Sequence, residues 1–200
     1  LPGPTDEGMT DIRADADRQR EVTVANAAAR LRLSQIVDIY RREMGRVRYH
    51  GFIGSSLTIQ AVYRIIDAAA ASKATVFITG ESGTGKEVCA DAIHRQSPRR
   101  DKPFIALNCG AIPKDLLESE LFGYAPGAFT GAMRSGKSGL FELSHGGTLF
   151  LDEITEMDFF LQTRLLRILQ AKEVMRIGDN KVIPINVRVI AATNRNPTEE

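Results

Sequence analysis

Gly80-Glu81-Ser82-Gly83-Thr84-Gly85-Lys86-Glu87 follows an apolar run, Thr75-Val76-Phe77-Ile78-Thr79, and opens a segment of helical composition. The spacing G-x-x-x-x-G-K is that of a phosphate-binding loop, in which each part has a physical task. Glycines let the main chain turn tightly, so several N–H groups can point into one concavity and hold phosphate oxygens. A helix starting at Gly85–Lys86 adds the positive end of its dipole, and the Lys86 ammonium adds a full charge on the β- and γ-phosphates. The stretch therefore predicts a strand over 75–79, a helix after it, and a nucleoside triphosphate held by residues 80–87.

Outward from this loop, apolar runs at 75–79, 104–108, 148–151 and 187–192 alternate with helix-type segments. Short runs rich in Val, Ile, Phe and Leu suit strands buried on both faces of a parallel sheet. Their alternation with helices predicts a three-layer αβα domain. Ser56 stands where it can cap a helix whose Val62, Ile65, Ile66 and Ala69 share a face. Leu161, Leu165, Leu166 and Leu169 mark a second amphipathic helix, and Gly178-Asp179-Asn180 a hairpin turn. The domain proper reads from 51 to 200. Residues 1–10 have the Pro, Gly and acidic composition of a disordered segment. Residues 11–48 read as a helical linker, with Leu33, Ile36, Val37, Tyr40 and Met44 in one apolar stripe that ends at Gly45. That stripe suits either a short coiled coil with another chain or docking on its own domain.

At 200 residues and 43% apolar composition the chain can bury a substantial core. Its 26 basic and 25 acidic residues leave a net charge of +1, so no bulk electrostatic footprint for nucleic acid or an anionic membrane follows. The clusters Arg41-Arg42 with Arg46 and Arg48, and Arg99-Arg100 with Lys102, read as solvated surface. Cys89 and Cys109 are too few for a disulfide framework or a metal site and read as small buried hydrophobes. No signal-peptide pattern opens the chain and no apolar run is long enough to cross a bilayer, so the cytoplasm is the expected location. The chain begins at Leu1 and ends on Thr198-Glu199-Glu200, and it reads as a fragment.

The third apolar run, Gly147-Thr148-Leu149-Phe150-Leu151, leads into Asp152-Glu153. Two carboxylates at the carboxyl end of a strand match a Walker B motif, at the edge where open α/β sheets bind ligands. Asp152 is the expected Mg²⁺ residue, and Glu153 the group that polarises the attacking water. Glu87 stands where the phosphate-loop pattern has Ser or Thr, so magnesium must lean on phosphates, water and Asp152. The fourth run ends in Thr193-Asn194, whose short amide could orient water or touch the γ-phosphate; alone, such an Asn more often caps a loop.

Taken together, GESGTGKE at 80–87, GAFTGA at 127–132, GGTLFLDE at 146–153 and VRVIAATNR at 187–195 resemble the AAA+ ATPase domain of sigma-54-dependent transcriptional activators, the bacterial enhancer-binding proteins. The resemblance runs from about Phe52 to Glu200. Gly127-Ala128-Phe129-Thr130-Gly131-Ala132 is its most specific element, since in that family the hexapeptide tips a mobile loop that touches sigma-54. The resemblance implies an ATPase using ATP and Mg²⁺, with Ile53 and Gly54 lining the adenine pocket. It further implies that Asn108 restrains Glu153, that Asn194 is the first sensor, and that a hairpin around 174–184 moves with the 127–132 loop. The implied partners are sigma-54 RNA polymerase holoenzyme and further copies of the chain in a hexameric ring. Enhancer DNA would be reached only through a C-terminal domain that this chain does not carry.

His145, Thr155 and Pro126 depart from the family pattern without removing a catalytic group. Asp15-Ala16-Asp17-Arg18 through Ala27-Ala28-Ala29 resembles the last helix of a receiver domain. Tyr49 to Ser56, with Lys86-Glu87-Val88-Cys89, is most similar to the quorum-sensing phosphorelay branch. The family's arginine fingers, second sensor, helical lid and last strand would all follow position 200. The isolated 200-residue piece is thus expected to hydrolyse ATP weakly or not at all, and the edge beside the phosphate-loop strand to invite aggregation. The rival reading is an AAA+ nucleic-acid motor or helicase loader, which the near-zero net charge disfavours. A nucleotide sensor without hydrolysis is disfavoured by the intact Asp152-Glu153 pair.

Overall fold

The computed structural model describes residues 48–195, the helical stretch 29–36 and positions 23, 26 and 27. The expected disorder at 1–10, the receiver-type segment at Asp15–Arg18, the positions Val37, Tyr40, Met44 and Gly45 of the linker stripe, the basic residues Arg41, Arg42 and Arg46, and the final Thr198-Glu199-Glu200 lie outside the described residues. The chain divides into two compact units, one of residues 1–47 with 54–60, the other of 48–53 with 61–200. In the first, the Ser34 hydroxyl donates to the Leu31 carbonyl at 2.9 Å, and Leu33 and Ile36 of the expected stripe are exposed. Ser56 caps as expected, its Oγ accepting the Ile59 N–H at 3.3 Å. It opens helix α1 (Leu57–Ala71), which runs on into the second unit.

The second unit opens with a short antiparallel hairpin, β1 (Arg48–Tyr49) and β2 (Phe52–Ile53). The Tyr49 ring stacks on Tyr63 at 4.6 Å, its hydroxyl donates to Asp67, and His50 hydrogen-bonds Gln96 at 2.7 Å. Four parallel strands follow: β3 (Val76–Thr79), β4 (Phe104–Asn108), and, after a small antiparallel pair β5 (Gly123–Tyr124) and β6 (Lys137–Ser138), β7 (Thr148–Asp152). A second hairpin, β8 (Glu173–Met175) with β9 (Val182–Pro184), precedes β10 (Arg188–Thr193). The spatial order of the main sheet is β3-β10-β7-β4, with every pair parallel.

Helix α2 (Lys86–Gln96) covers one face: the His94 ring nitrogen meets Thr148 Oγ1 at 2.9 Å, beside the Phe104 and Phe150 rings. Helices α3 (Lys114–Phe122), α4 (Leu140–Leu143) and α5 (Phe159–Ala171) cover the other, burying Leu149, Leu151 and Val189 with Leu121, Phe141 and Leu165. This is the expected three-layer αβα architecture. Each fully buried side chain of that kind contributes about 1.5–3 kcal/mol relative to exposure.

Four expectations need correction. Only β7 and β10 are buried on both faces; β3 and β4 are edges of the described sheet, and Phe77 is 51% exposed. In the described second unit, α1 buries Tyr63, Ile66 and Ala70, whereas Ile65 faces outward, because the Tyr63 ring stacks under the first hairpin and sets the rotation of the helix. Leu161, Leu165 and Ile168 form the buried stripe of α5, and Leu166 is exposed. Arg99 is no free surface charge: its guanidinium donates to the carbonyls of Gly147 and Asn186, each at 2.9 Å, and to Asn186 Oδ1 at 2.6 Å.

A buried arginine also went unforeseen. Arg188, on central strand β10, donates to the carbonyls of Ala69 at 2.6 Å and Ala70 at 3.4 Å, at the carboxyl end of α1. The negative end of that helix dipole takes the place of a carboxylate partner. Burial pulls its pKa below the ordinary guanidinium range, and its Nε finds no acceptor among the described residues.

Candidate nucleotide-binding site

The phosphate loop, the acidic pair and the Thr193-Asn194 segment all emerge at the carboxyl ends of parallel strands. Register fixes this: Thr79 lies opposite Thr193, Ala191 opposite Leu151, and Asn108 opposite Asp152. Gly83 and Gly85 have φ of +81° and +88°, a conformation that L side chains avoid, and this lets residues 80–87 coil back before α2 begins. Thr84 closes the turn, its hydroxyl donating to the Glu81 carbonyl at 2.8 Å. Half-buried Lys86 donates from Nζ to the carbonyls of Gly80 and Glu81, both at 2.9 Å. Its ammonium therefore lies inside the curl of the loop. The capping residue of α2 is Gly85, which has no side chain to occupy the first N–H groups, so the amino end of the helix offers them to an anion. Ser82 stands in the exposed turn, and Glu87 is exposed on the first turn of α2.

Phe52 sits beside this helix start, its ring 3.5 Å from where a β-carbon on Gly85 would lie. Ile53, next to it, is 75% exposed. Gly54 belongs to the first unit, where a β-carbon would meet Ile59 at 3.2 Å.

Asp152 ends β7, and its Oδ1 accepts the N–H of Glu153 at 3.0 Å. Glu153 then takes the left-handed conformation, φ 53° and ψ 45°, and leads into a 3₁₀ turn, Ile154–Glu156. Such a conformation on a residue with a β-carbon persists only where its surroundings enforce it. Its carboxylate rests against Gly110, where a β-carbon would lie 2.3 Å from Oε2. Asn108 uses its Oδ1 within its own turn, accepting from Gly110 N at 2.9 Å and Ala111 N at 3.1 Å. Asn108 thus shapes the turn in which Gly110 leaves space for the Glu153 carboxylate. Beneath the acidic pair Cys109 is buried, and burial together with the Asp152 and Glu153 charges pushes its thiol up to about 12, so it stays protonated. Cys109 is the small buried hydrophobe expected, whereas Cys89 is buried only in part.

Asn194 is exposed just past β10, while the residue before it, overlooked in the sequence, is the connected one. Thr193 is buried, its carbonyl accepting from Gly80 N at 3.2 Å and its Oγ1 lying 3.0 Å from Thr155 Oγ1. A strand ending in a small β-branched hydroxyl residue was the only available sign.

The hexapeptide 127–132 closes on itself, Ala132 N donating to Phe129 O at 3.0 Å. Gly127 and Gly131 have φ of +72° and +94°, with nothing within 4 Å of a β-carbon at either. Phe129 is 44% exposed and meets Tyr124 edge-on at 5.0 Å. The second hairpin reaches the base of this loop: Ala125 N donates to Ile177 O at 2.9 Å and Ile177 N to Gly123 O at 3.0 Å. Arg176 grips Glu142 through Nε at 2.8 Å and Nη2 at 2.6 Å, and Nη2 also reaches Ser138 Oγ at 3.0 Å.

A family model described as the sigma-54 interaction domain matches residues 52–200. The chain belongs to that family. The chain is 57% identical over 187 residues to the luminescence regulatory protein LuxO of Vibrio campbellii, a match covering 93% of this chain and 40% of the relative. The acetoin dehydrogenase operon transcriptional activator AcoR of Bacillus subtilis is 55% identical over 147 residues, 74% of this chain and 24% of that protein. Among solved structures, NtrX from Brucella abortus in complex with ATP superposes with a TM-score of 0.67 at 34% identity, covering 89% of this chain and 36% of that one. The chain thus spans about 40% of the length of the LuxO proteins it matches.

Proposed function

We propose that residues 80–87 bind ATP, that Glu153 directs its hydrolysis, and that the 127–132 loop delivers the resulting movement to sigma-54 RNA polymerase. The observation that carries the first part is the curl of 80–87, with the Lys86 ammonium inside it and the uncapped amino end of α2 beside it. Phosphate oxygens of ATP would replace the Gly80 and Glu81 carbonyls as acceptors for Lys86. Family membership and the ATP-bound NtrX relative support the same reading.

In hydrolysis, water attacks the γ-phosphorus as the bond to the β–γ bridging oxygen breaks, and Glu153 takes the proton; ADP and inorganic phosphate leave. Glu153 is half-buried, its carboxylate lying against Gly110, and to act as base it would have to leave that contact. Among the described residues no three His, Cys, Asp or Glu side chains converge. Magnesium would be held by Asp152 together with phosphate oxygens and water, and would supply charge neutralisation when bound. The assignments of Ile53 and Gly54 to adenine, of Asn194 to sensing, and of 127–132 to sigma-54 are part of this proposal. So are ring assembly and action in the cytoplasm as a transcriptional activator.

Calorimetry and phosphate release on the full-length protein test it: ATP binding and turnover in the wild type, binding without turnover in Glu153→Gln. A wild type that binds no ATP overturns the reading. The rival nucleic-acid motor would instead require hydrolysis stimulated by DNA.

A further inference from the structure

Thr155 offers a link that the hydrolysis scheme does not use. It is half-buried in the 3₁₀ turn directly after Glu153, and its Oγ1 lies 3.0 Å from Oγ1 of Thr193, which is 1% exposed. Thr193 Oγ1 also accepts from Arg195 N at 3.1 Å. A hydroxyl has one proton and two lone pairs, so with one acceptance spent on Arg195 the Thr193 hydroxyl can still donate to, or accept from, that of Thr155. Through its carbonyl, the same Thr193 holds Gly80 N, the first amide of the phosphate loop. Alongside, Arg195 pairs with Glu156 at 2.8 Å, a second tie between the turn and the end of β10. That pair is substantially solvent-exposed and contributes little by itself.

The turn itself is tight. Glu156 N returns to Glu153 O at 2.9 Å, and Met157, buried, anchors its far end. With both ends fixed, the lateral position of the turn sets where the Glu153 carboxylate points. Among the described residues, a hydrogen-bonded route from this turn to the phosphate loop runs from half-buried Thr155 through Thr193 to Gly80.

We infer that Thr155 is a positioning residue, which ties the turn bearing Glu153 to the phosphate loop through Thr193 and so aligns the carboxylate when the loop takes up a triphosphate. The inference rests on the ATPase reading above and deepens it. Removing the hydroxyl while keeping the shape, as in Thr155→Val, should loosen this alignment without touching the nucleotide. Thr155→Ser keeps the hydroxyl and should restore it.

The test uses the full-length protein, with ATP turnover, calorimetric ATP affinity and hydrogen exchange of segment 153–157 read side by side. Thr155→Val is expected to lower kcat about tenfold while ATP affinity and KM stay within about twofold, and Thr155→Ser to recover to within about twofold of wild type. Exchange over 153–157 should respond to ATP in the wild type and Thr155→Ser but not in Thr155→Val. A Thr155→Val protein with wild-type kcat and a wild-type exchange response overturns the inference. So does Thr155→Ser as slow as Thr155→Val, or an effect confined to KM. Failure of the wild type to bind ATP would show separately in the calorimeter and would remove the ATPase reading along with this one.

Discussion

The strand-end site and the paired excursions at 125–136 and 176–181 sit on one unit but are held in opposite ways. At the strand ends, a parallel ladder fixes the phosphate loop, the acidic pair and Thr193 in register, and the central strands β7 and β10 are buried on both faces up to half-buried Asp152. The first excursion hangs from a two-residue pair, β5 with β6, and the second is tied to its base by two main-chain bonds and to α4 by the Arg176–Glu142 clamp. One region can hold a reacting group to a fraction of an ångström; the other can swing on Gly127 and Gly131 at small cost. The proposed function accordingly assigns chemistry to the ladder and movement to the glycines.

The sharpest way to break this division is Lys86→Ala. Loss of the ammonium inside the loop should weaken ATP binding at least about a hundredfold by calorimetry, leaving the fold intact by circular dichroism. Next in size, Glu153→Gln should bind ATP within a few-fold of wild type but lower phosphate release by about 10²–10⁴. If both substitutions merely unfolded the domain, the strand ends would be structural and no site at all.

Smaller in free energy, but decisive for the second region, Phe129→Ala and Thr130→Ala in the full-length protein should keep ATP turnover within about twofold and lose engagement of sigma-54 in a pull-down. Transcription activated normally by Thr130→Ala would remove the coupling role from this loop.

The smallest effect concerns the clamp. Arg176 holds the Glu142 carboxyl below the ordinary carboxylate range, chiefly by its hydrogen bonds. A depressed carboxylate binds fewer protons folded than unfolded, so its contribution is present above the unfolded value of about 4.3 and is lost as pH falls below it. Thermal melts from pH 7 down to pH 3 should therefore show a steeper acid-side loss in wild type than in Arg176→Ala. His94 adds in the same direction: burial lowers its pKa, so its protonation opposes folding once the pH drops below the ordinary imidazole range of about 6.5. His94→Gln should flatten the melts there, while equal slopes would mean that neither group is linked to folding.

The two regions were also unequally legible. Residues 80–87 and 152–153 could be read because phosphate chemistry demands particular residues at fixed spacing, and the apolar runs before them suit strands, of which only the one before 152–153 is buried. The excursion 127–132 said little on its own beyond bendable glycines with an apolar tip, and its meaning came from resemblance. What escaped was contact information. Nothing in the sequence marks Arg188 as a buried cap on α1, Arg99 as a staple between Gly147 and Asn186, or Thr193 rather than Asn194 as the connected residue. Helix faces failed for a related reason: periodicity placed Ile65 and Leu166 inward, yet Tyr63 under the first hairpin and Ile168 in the core fixed the rotation instead.

Hydrogen exchange on the full-length protein, with and without saturating ATP and in wild type and Lys86→Ala, probes both regions in one experiment. The account predicts ATP-dependent protection of 80–87 accompanied by altered exchange across 125–136, with both responses absent in Lys86→Ala. Wild-type protein whose 80–87 amides exchange equally fast with and without ATP would contradict it.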